Sequence, residues 1–360
     1  MLFLGAHLDR LDEEIFDSMS FRFEGLEVWL AKKAFEETRD QGSTIARHEF
    51  PEQLDIPIAD DDLSIRLELR FSSTGDNYRT LNWRRDAAFR FVASAAHSQE
   101  WFMQRMAHLR ALLGLLTGEP TCPTSITGFV SDEPGRPLGV GIYFPVVGAL
   151  AERTFNPGEM AFSRTTLGDR LPGVVQAWFA KRELLTSTLG LLFGTLYRSD
   201  FPSDFQFLAL TQALETFHRR TRGGEYLLPD EYEPVRSALV AAIPHGIPPD
   251  LRSALKSRIE YGNEFSQRRR FKELLDSLGT DRDVVTKDAD FIGSVVEQRN
   301  YLTHLPAGTE PTMTPGEMFY ASMRLRTLLI VLLLLEVGID GAEAAEGLRR
   351  TRWHRGFVGT

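Results

Sequence analysis

At 360 residues the chain has room for two domains, and 42% hydrophobic with 25% charged residues is the make-up of an ordinary globular protein. A single cysteine, Cys122, excludes an intrachain disulfide and a cysteine-based zinc cluster, and it fits a reducing, cytoplasmic setting. The net charge of −9 argues against a nonspecific nucleic-acid coat.

The N-terminus, MLFLGAHLDRLDEE, has no basic stretch and turns acidic early, so it does not read as a signal peptide. From 1 to about 164 the pattern is mixed. Ser64 to Phe71 alternates apolar and charged residues as a half-buried strand does, and Ala88–Val92 and Val140–Phe144 are similar. Asp60, Asp61 and Asp62 are read as a solvated turn rather than a cation site. Between these segments one helix is expected from Gln99 to Leu116. It carries Phe102, Met106, Leu109, Leu113 and Leu116 at helical spacing, with Gly118 as its stop. Thr154 to Gly168, with Asn156-Pro157-Gly158, reads as a linker.

Beyond 165 the helical period dominates. Helices are expected near 174–198, 204–220, 230–242, 249–261, 264–278, 288–304, 315–338 and 341–350, several of them opened by a proline. Pro202 is one of these openers. The expected architecture is α+β: a β-rich domain with one long helix over 1–164, then an all-helical bundle over 165–360. The apolar run Leu328–Leu335 is shorter than the roughly 20 residues of a membrane span, so it is expected to be a buried core helix with no membrane contact. Charge differs between the halves. Residues 1–164 hold 17 Lys and Arg against 25 Asp and Glu, whereas 165–360 hold 24 against 25.

Catalytic candidates are few. There is no Walker-type glycine loop, no His-Glu-x-x-His, no Cys-x-x-Cys and no Gly-x-Ser-x-Gly. No metal and no cofactor is therefore expected. What remains is Arg299-Asn300-Tyr301-Leu302-Thr303-His304 at the end of an amphipathic helix, with Leu305, Pro306 and Gly308 following. Spacing alone is weak support. With 35 arginines and 8 histidines, about one such pair is expected by chance, and Arg349 to His354 is a second. The latter is read as a frayed basic end. On an ideal helix Asn300 and His304 share a face, while Arg299 and His304 are splayed by roughly 140°. They converge only if the last turn unwinds or a second subunit contributes.

Glu297 to His304 resembles the Arg-Asn-x-x-x-His signature of HEPN domains. The helix with Leu214, Glu215 and His218 is similar to the earlier Leu-Glu-x-x-His helix of the ApeA-like branch, and Gly5-Ala6-His7 with Leu26–Leu30 resembles part of an ApeA-type N-terminal domain. By that likeness the N-terminal domain is expected to be shortened, because the chain starts at the Gly-Ala-His region. The resemblance implies a metal-independent endoribonuclease of anti-phage (abortive infection) defence. Arg299, Asn300 and His304 would be its catalytic residues. A homodimer would pair the motif helices, and a phage-derived trigger would act on the N-terminal domain. Arg219, Arg220 and Arg268 are candidates for the RNA-binding surface. Glu215 and His218 are read either as part of the site or as interhelical polar contacts. The alternative reading is a HEPN-like module that binds nucleotide or RNA, or another partner, without catalysis.

Overall fold

A computed structural model describes residues 2–5, 8, 10–50, 53–76, 78–131, 137–144, 155–197, 203–304 and 310–358. Ala6, His7, Thr154, Pro202, Leu305, Pro306, Gly308 and the Asp60 side chain lie outside the described residues. The chain divides into two units: Met1–Leu189 with Phe193–Asp200 and Ile330–Thr360, and Gly190–Leu192 with Phe201–Leu329.

The first unit is built on strands β1 (Leu2–Leu4), β2 (Phe16–Phe23), β3 (Phe35–Asp40), β4 (Ser43–His48), β5 (Asp55–Ile58), β6 (Leu63–Gly75), β7 (Leu81–His97), β8 (Pro123–Ser131) and β9 (Pro137–Tyr143). Seven form one antiparallel sheet in the order β1-β9-β8-β2-β7-β6-β5, and β3 and β4 make a separate hairpin. The strands read from alternation fall within β6 and β7, and the third overlaps β9 but runs one residue past its end at Tyr143. Unread was β2, where a bulge between Phe16 and Ser18 shifts the phase before Met19, Phe21 and Phe23 settle into period two. Those residues, with Ile65, Leu67, Phe89 and Phe91, form a buried face.

Helices α1 (Leu26–Trp29), α2 (Gln99–Thr117), α3 (Arg164–Leu167), α4 (Leu171–Ala180) and α5 (Arg182–Leu196) follow in chain order. Helix α2 starts on Ser98, whose hydroxyl accepts from the Trp101 N–H, and stops at Gly118 with φ +76°. It packs on β2 and β7.

Three expectations are corrected here. The helix expected over 174–198 is broken at Lys181, because the Trp178 carbonyl accepts from His108 Nε2 (2.9 Å) and from the Lys181 N–H (3.2 Å). The presumed linker is packed: Met160, Ala161 and Phe162 are buried, and the Phe162 carbonyl accepts from the Trp29 indole at 3.0 Å. Asp61 is not solvated; its carboxylate takes Arg105 at 2.7 Å and Arg182 at 3.3 Å.

The second unit is helical: α6 (Ser203–Arg222), α7 (Pro229–Ala241), α8 (Pro249–Glu260), α9 (Gln267–Asp276), α10 (Phe291–His304) and the start of α11 (Pro315–Glu336). Helix α11 is long and apolar enough to cross a bilayer, yet Leu328 to Leu334 are all buried, as a core helix requires. The end of the chain, α12 (Gly341–Arg350) and α13 (Arg352–Val358), belongs to the first unit. The Arg349–His354 stretch is not a frayed end. Thr351 separates two helices and His354 is buried. Thr351 lies so close over Gly118 that a side chain there would collide with it.

Candidate functional site

Helix α10 buries Phe291, Ile292, Val295 and Val296 and opens towards its C-terminus, where Asn300, Thr303 and His304 are exposed and Arg299 is half-buried. Arg299 Nη1 donates to Asn300 Oδ1 at 3.3 Å, and Thr303 Oγ1 caps the Arg299 carbonyl at 2.8 Å. The helix continues through His304, so the last turn does not unwind before it. The splay of roughly 140° between Arg299 and His304 therefore persists within one chain. The structure joins Arg299 to Asn300, which shares a face with His304, while Arg299 itself points away from His304.

Glu297, Asn300, Tyr301 and His304 follow the i, i+3, i+4, i+7 spacing of one stripe. Arg268 of α9 reaches that stripe and pairs with Glu297 at 3.3 Å. Gly293 makes room for it, since a side chain there would come within 3.0 Å of Arg268 Nη1. Of the three arginines proposed to bind RNA, Arg268 is thus seated on the motif helix. Arg219 is engaged with Glu215 and Glu264. Arg220 is exposed at the end of α6 and, among the described residues, makes no ion pair. No hydrogen bond or ion pair joins Arg219 or Arg220 to α10 among the described residues.

Glu215 and His218 belong to a polar network between α6 and α9. His218 is fully buried; its Nε2 lies 2.9 Å from Glu273 Oε2 and its Nδ1 3.1 Å from Arg270 Nη1. A guanidinium can only donate, so Nδ1 is the acceptor and the proton sits on Nε2, aimed at the carboxylate. Burial, reinforced by the charge of Arg270, holds the His218 pKa below its ordinary value, although Glu273 opposes the shift. Arg270, 1% exposed, also donates to the carbonyls of Gly223 (2.6 Å), Gly224 (3.2 Å) and Phe265 (3.1 Å). Glu215 Oε2 accepts from Gln267 at 3.0 Å. These contacts tie α6 to α9.

Sequence reasoning missed Gln298. Its side chain is 1% exposed; Oε1 accepts from Thr312 Oγ1 (2.8 Å) and the Met313 N–H (3.0 Å), and Nε2 faces Met318 Sδ at 3.7 Å. It fastens the motif helix to the segment entering α11. The available signal was its place three residues after Val295, on the apolar face where an amide needs partners. Among the described residues no group of three or more His, Cys, Asp or Glu gathers as a metal site.

Fold and site together define an α+β chain whose helical part presents an Arg-Asn pair and a histidine at an exposed helix end. Residues 1–178 match the family described as ApeA N-terminal domain 1, and residues 208–343 match Apea-like HEPN. The chain belongs to the ApeA-like HEPN family. These two domains suggest an anti-phage nuclease family, HEPN domains being often nucleases that dimerise and bind RNA. No curated protein and no solved structure matches the chain significantly.

Proposed function

We propose that this protein is a metal-independent endoribonuclease, working as a homodimer in cytoplasmic anti-phage defence, with a phage-derived trigger read by its N-terminal domain. The observation that carries the reading is the open C-terminal end of α10, where polar Arg299, Asn300 and His304 follow the buried residues Phe291, Ile292, Val295 and Val296. RNA brings its own nucleophile, the 2′-OH, so the protein need supply only acid–base and electrostatic groups. In the proposed step an imidazole takes the 2′-OH proton as O2′ attacks phosphorus, and the P–O5′ bond breaks. O5′ receives a proton from a second imidazole that is protonated at the outset, leaving a 2′,3′-cyclic phosphate, a 5′-hydroxyl and the two imidazoles with their protonation states exchanged.

One chain offers one motif histidine, and its splay from Arg299 keeps the two off a single phosphate. Two α10 helices facing each other across a two-fold axis supply both histidines and set each Arg299 near the other chain's His304. Arg299 would stabilise the charge of the phosphorane with its planar donor fork, and Asn300 would hold that fork. Arg268, Arg219 and Arg220 would hold flanking phosphates.

The test is incubation of the purified chain with RNA, together with its trigger-bearing phage lysate, and detection of cyclic-phosphate ends. Loss of those ends in both Arg299→Ala and His304→Ala supports the proposal, and full activity in both sinks it. Because Arg299 donates within its own chain to Asn300, a second reading is a non-catalytic RNA-binding module. Retained RNA affinity without any cyclic-phosphate product would favour it.

A further inference from the structure

Helices α7 and α8 form a hairpin between α6 and α9, and neither buries a single residue. Its root is better held. Tyr226 N–H donates to the Asn263 carbonyl and Phe265 N–H to the Gly224 carbonyl, both at 2.9 Å. Arg270 of α9 lies against the same root. Its Nη1 donates to the Gly223 carbonyl at 2.6 Å, Nη2 to that of Gly224 at 3.2 Å and Nε to that of Phe265 at 3.1 Å. The chain enters the hairpin through two consecutive glycines, Gly223 at φ +71° and Gly224 at φ +112°, where the missing Cβ leaves the backbone free to turn. A hinge and a latch thus stand side by side.

The latch has a titratable partner. Nη1, the atom on the Gly223 carbonyl, also donates to His218 Nδ1 at 3.1 Å. Nδ1 accepts only while the imidazole is neutral. With a proton there, two donors and two positive charges face each other between buried side chains. The acceptor beside the ring is the Gly223 carbonyl, which favours the charged form, so a protonated His218 competes with Arg270 for it. The guanidinium has no slack. A side chain at Gly224 would come within 2.5 Å of Nη1 and 3.1 Å of His218 Cε1, so a shift of Arg270 moves the glycine hinge.

The surrounding charges are divided between the two ring nitrogens. Glu273 holds Nε2 at 2.9 Å and is itself held by Arg269 at 3.2 Å. Glu264 pairs with Arg270 at 3.5 Å and with Arg219, which also takes Glu215. Carboxylate charge therefore supports the ring at Nε2, while Nδ1 faces the guanidinium. We propose that the α7–α8 hairpin is a hinged element, latched by Arg270 and released by protonation of His218. The proposal is independent of RNA cleavage and of any pairing through α10. Burial, with the charge of Arg270, holds the His218 pKa below 6.5 while the latch is closed, and release returns it towards that value. Opening therefore takes up a proton. It is insensitive to pH well above 6.5 and grows by up to about tenfold per pH unit as pH falls below it.

The test is amide hydrogen exchange of the full chain over a pH series from about 8 to 5, corrected for the intrinsic pH dependence of exchange. The reporters are the Tyr226, Leu227 and Phe265 amides, all bonded across the root. Amides within α6 report the fold around it. Below pH 6.5 the root amides should lose protection relative to α6. His218→Asn, whose Oδ1 can accept from Arg270 but takes up no proton, should abolish that step. Glu273→Gln leaves the buried ring in place and removes a charge that favours its protonated form, so it should move the step to lower pH. Root amides that track α6 at every pH, a step that survives in His218→Asn, or a step that Glu273→Gln moves upward would each overturn the proposal.

Discussion

Arg270 Nη1 lies 3.1 Å from His218 Nδ1, and this contact makes a buried histidine of the family-like helix a neutral structural link rather than an acid–base group. Arg270 is the centre of the link, with three carbonyls and Glu264 on its guanidinium besides the imidazole. Arg270→Leu would remove the guanidinium from all three carbonyls, of which Gly224 keeps the Phe265 N–H, at a cost of about 3 kcal/mol in denaturant unfolding. Arg270→Lys should recover little, because one ammonium cannot reproduce a planar fork. Gly224, at φ +112° and with room for a side chain only 2.5 Å from Arg270 Nη1, should tolerate alanine poorly by the same assay.

His108 makes stability depend on pH. Burial pushes its pKa down from 6.5 to about 4, and it stays neutral while its Nε2–H donates to the Trp178 carbonyl. The unfolded chain binds the extra proton between those two values, so stability is intact above pH 6.5 and falls as pH drops towards 4. The full effect is about 3 kcal/mol, and the lowered pKa of His218 acts in the same direction. Urea midpoints at pH 7.5 and 5 should differ accordingly. His108→Gln should shrink the difference.

Arg299→Ala and His304→Ala should each reduce RNA cleavage by about a thousandfold or more. Both side chains stand at an open helix end, so unfolding free energies should move by less than about 0.5 kcal/mol. Activity lost together with stability would count against a direct role. Arg268→Ala should be milder and should lower the salt dependence of RNA binding by about one phosphate contact.

Gln298 should act through position. Gln298→Ala removes the acceptor for Thr312 and Met313, at about 1–2 kcal/mol. Faster amide exchange at Met313, alongside partly reduced cleavage, is the expected signature. Unchanged exchange with reduced cleavage would assign Gln298 to the chemistry instead.

Periodicity by itself located most of this fold. The alternation of Ser64–Phe71, the helical stripe from Phe102 to Leu116 and the apolar run of α11 each appear where their pattern puts them, because a buried face imposes its period on the sequence. The order Arg299, Asn300, His304 on one helix was legible for the same reason. What periodicity could not supply depends on partners far apart in the chain. The Trp178 carbonyl breaks a helix because His108, 70 residues earlier, takes it. The bulge that hides β2 exists only against β7. Gln298 and Arg270 look like ordinary polar residues until folding removes their water and brings in distant acceptors and donors. The unbroken last turn of α10, which keeps Arg299 and His304 apart, was likewise decided by the fold: helical spacing permitted both an unwound and a continuous end, and only the backbone geometry chose between them.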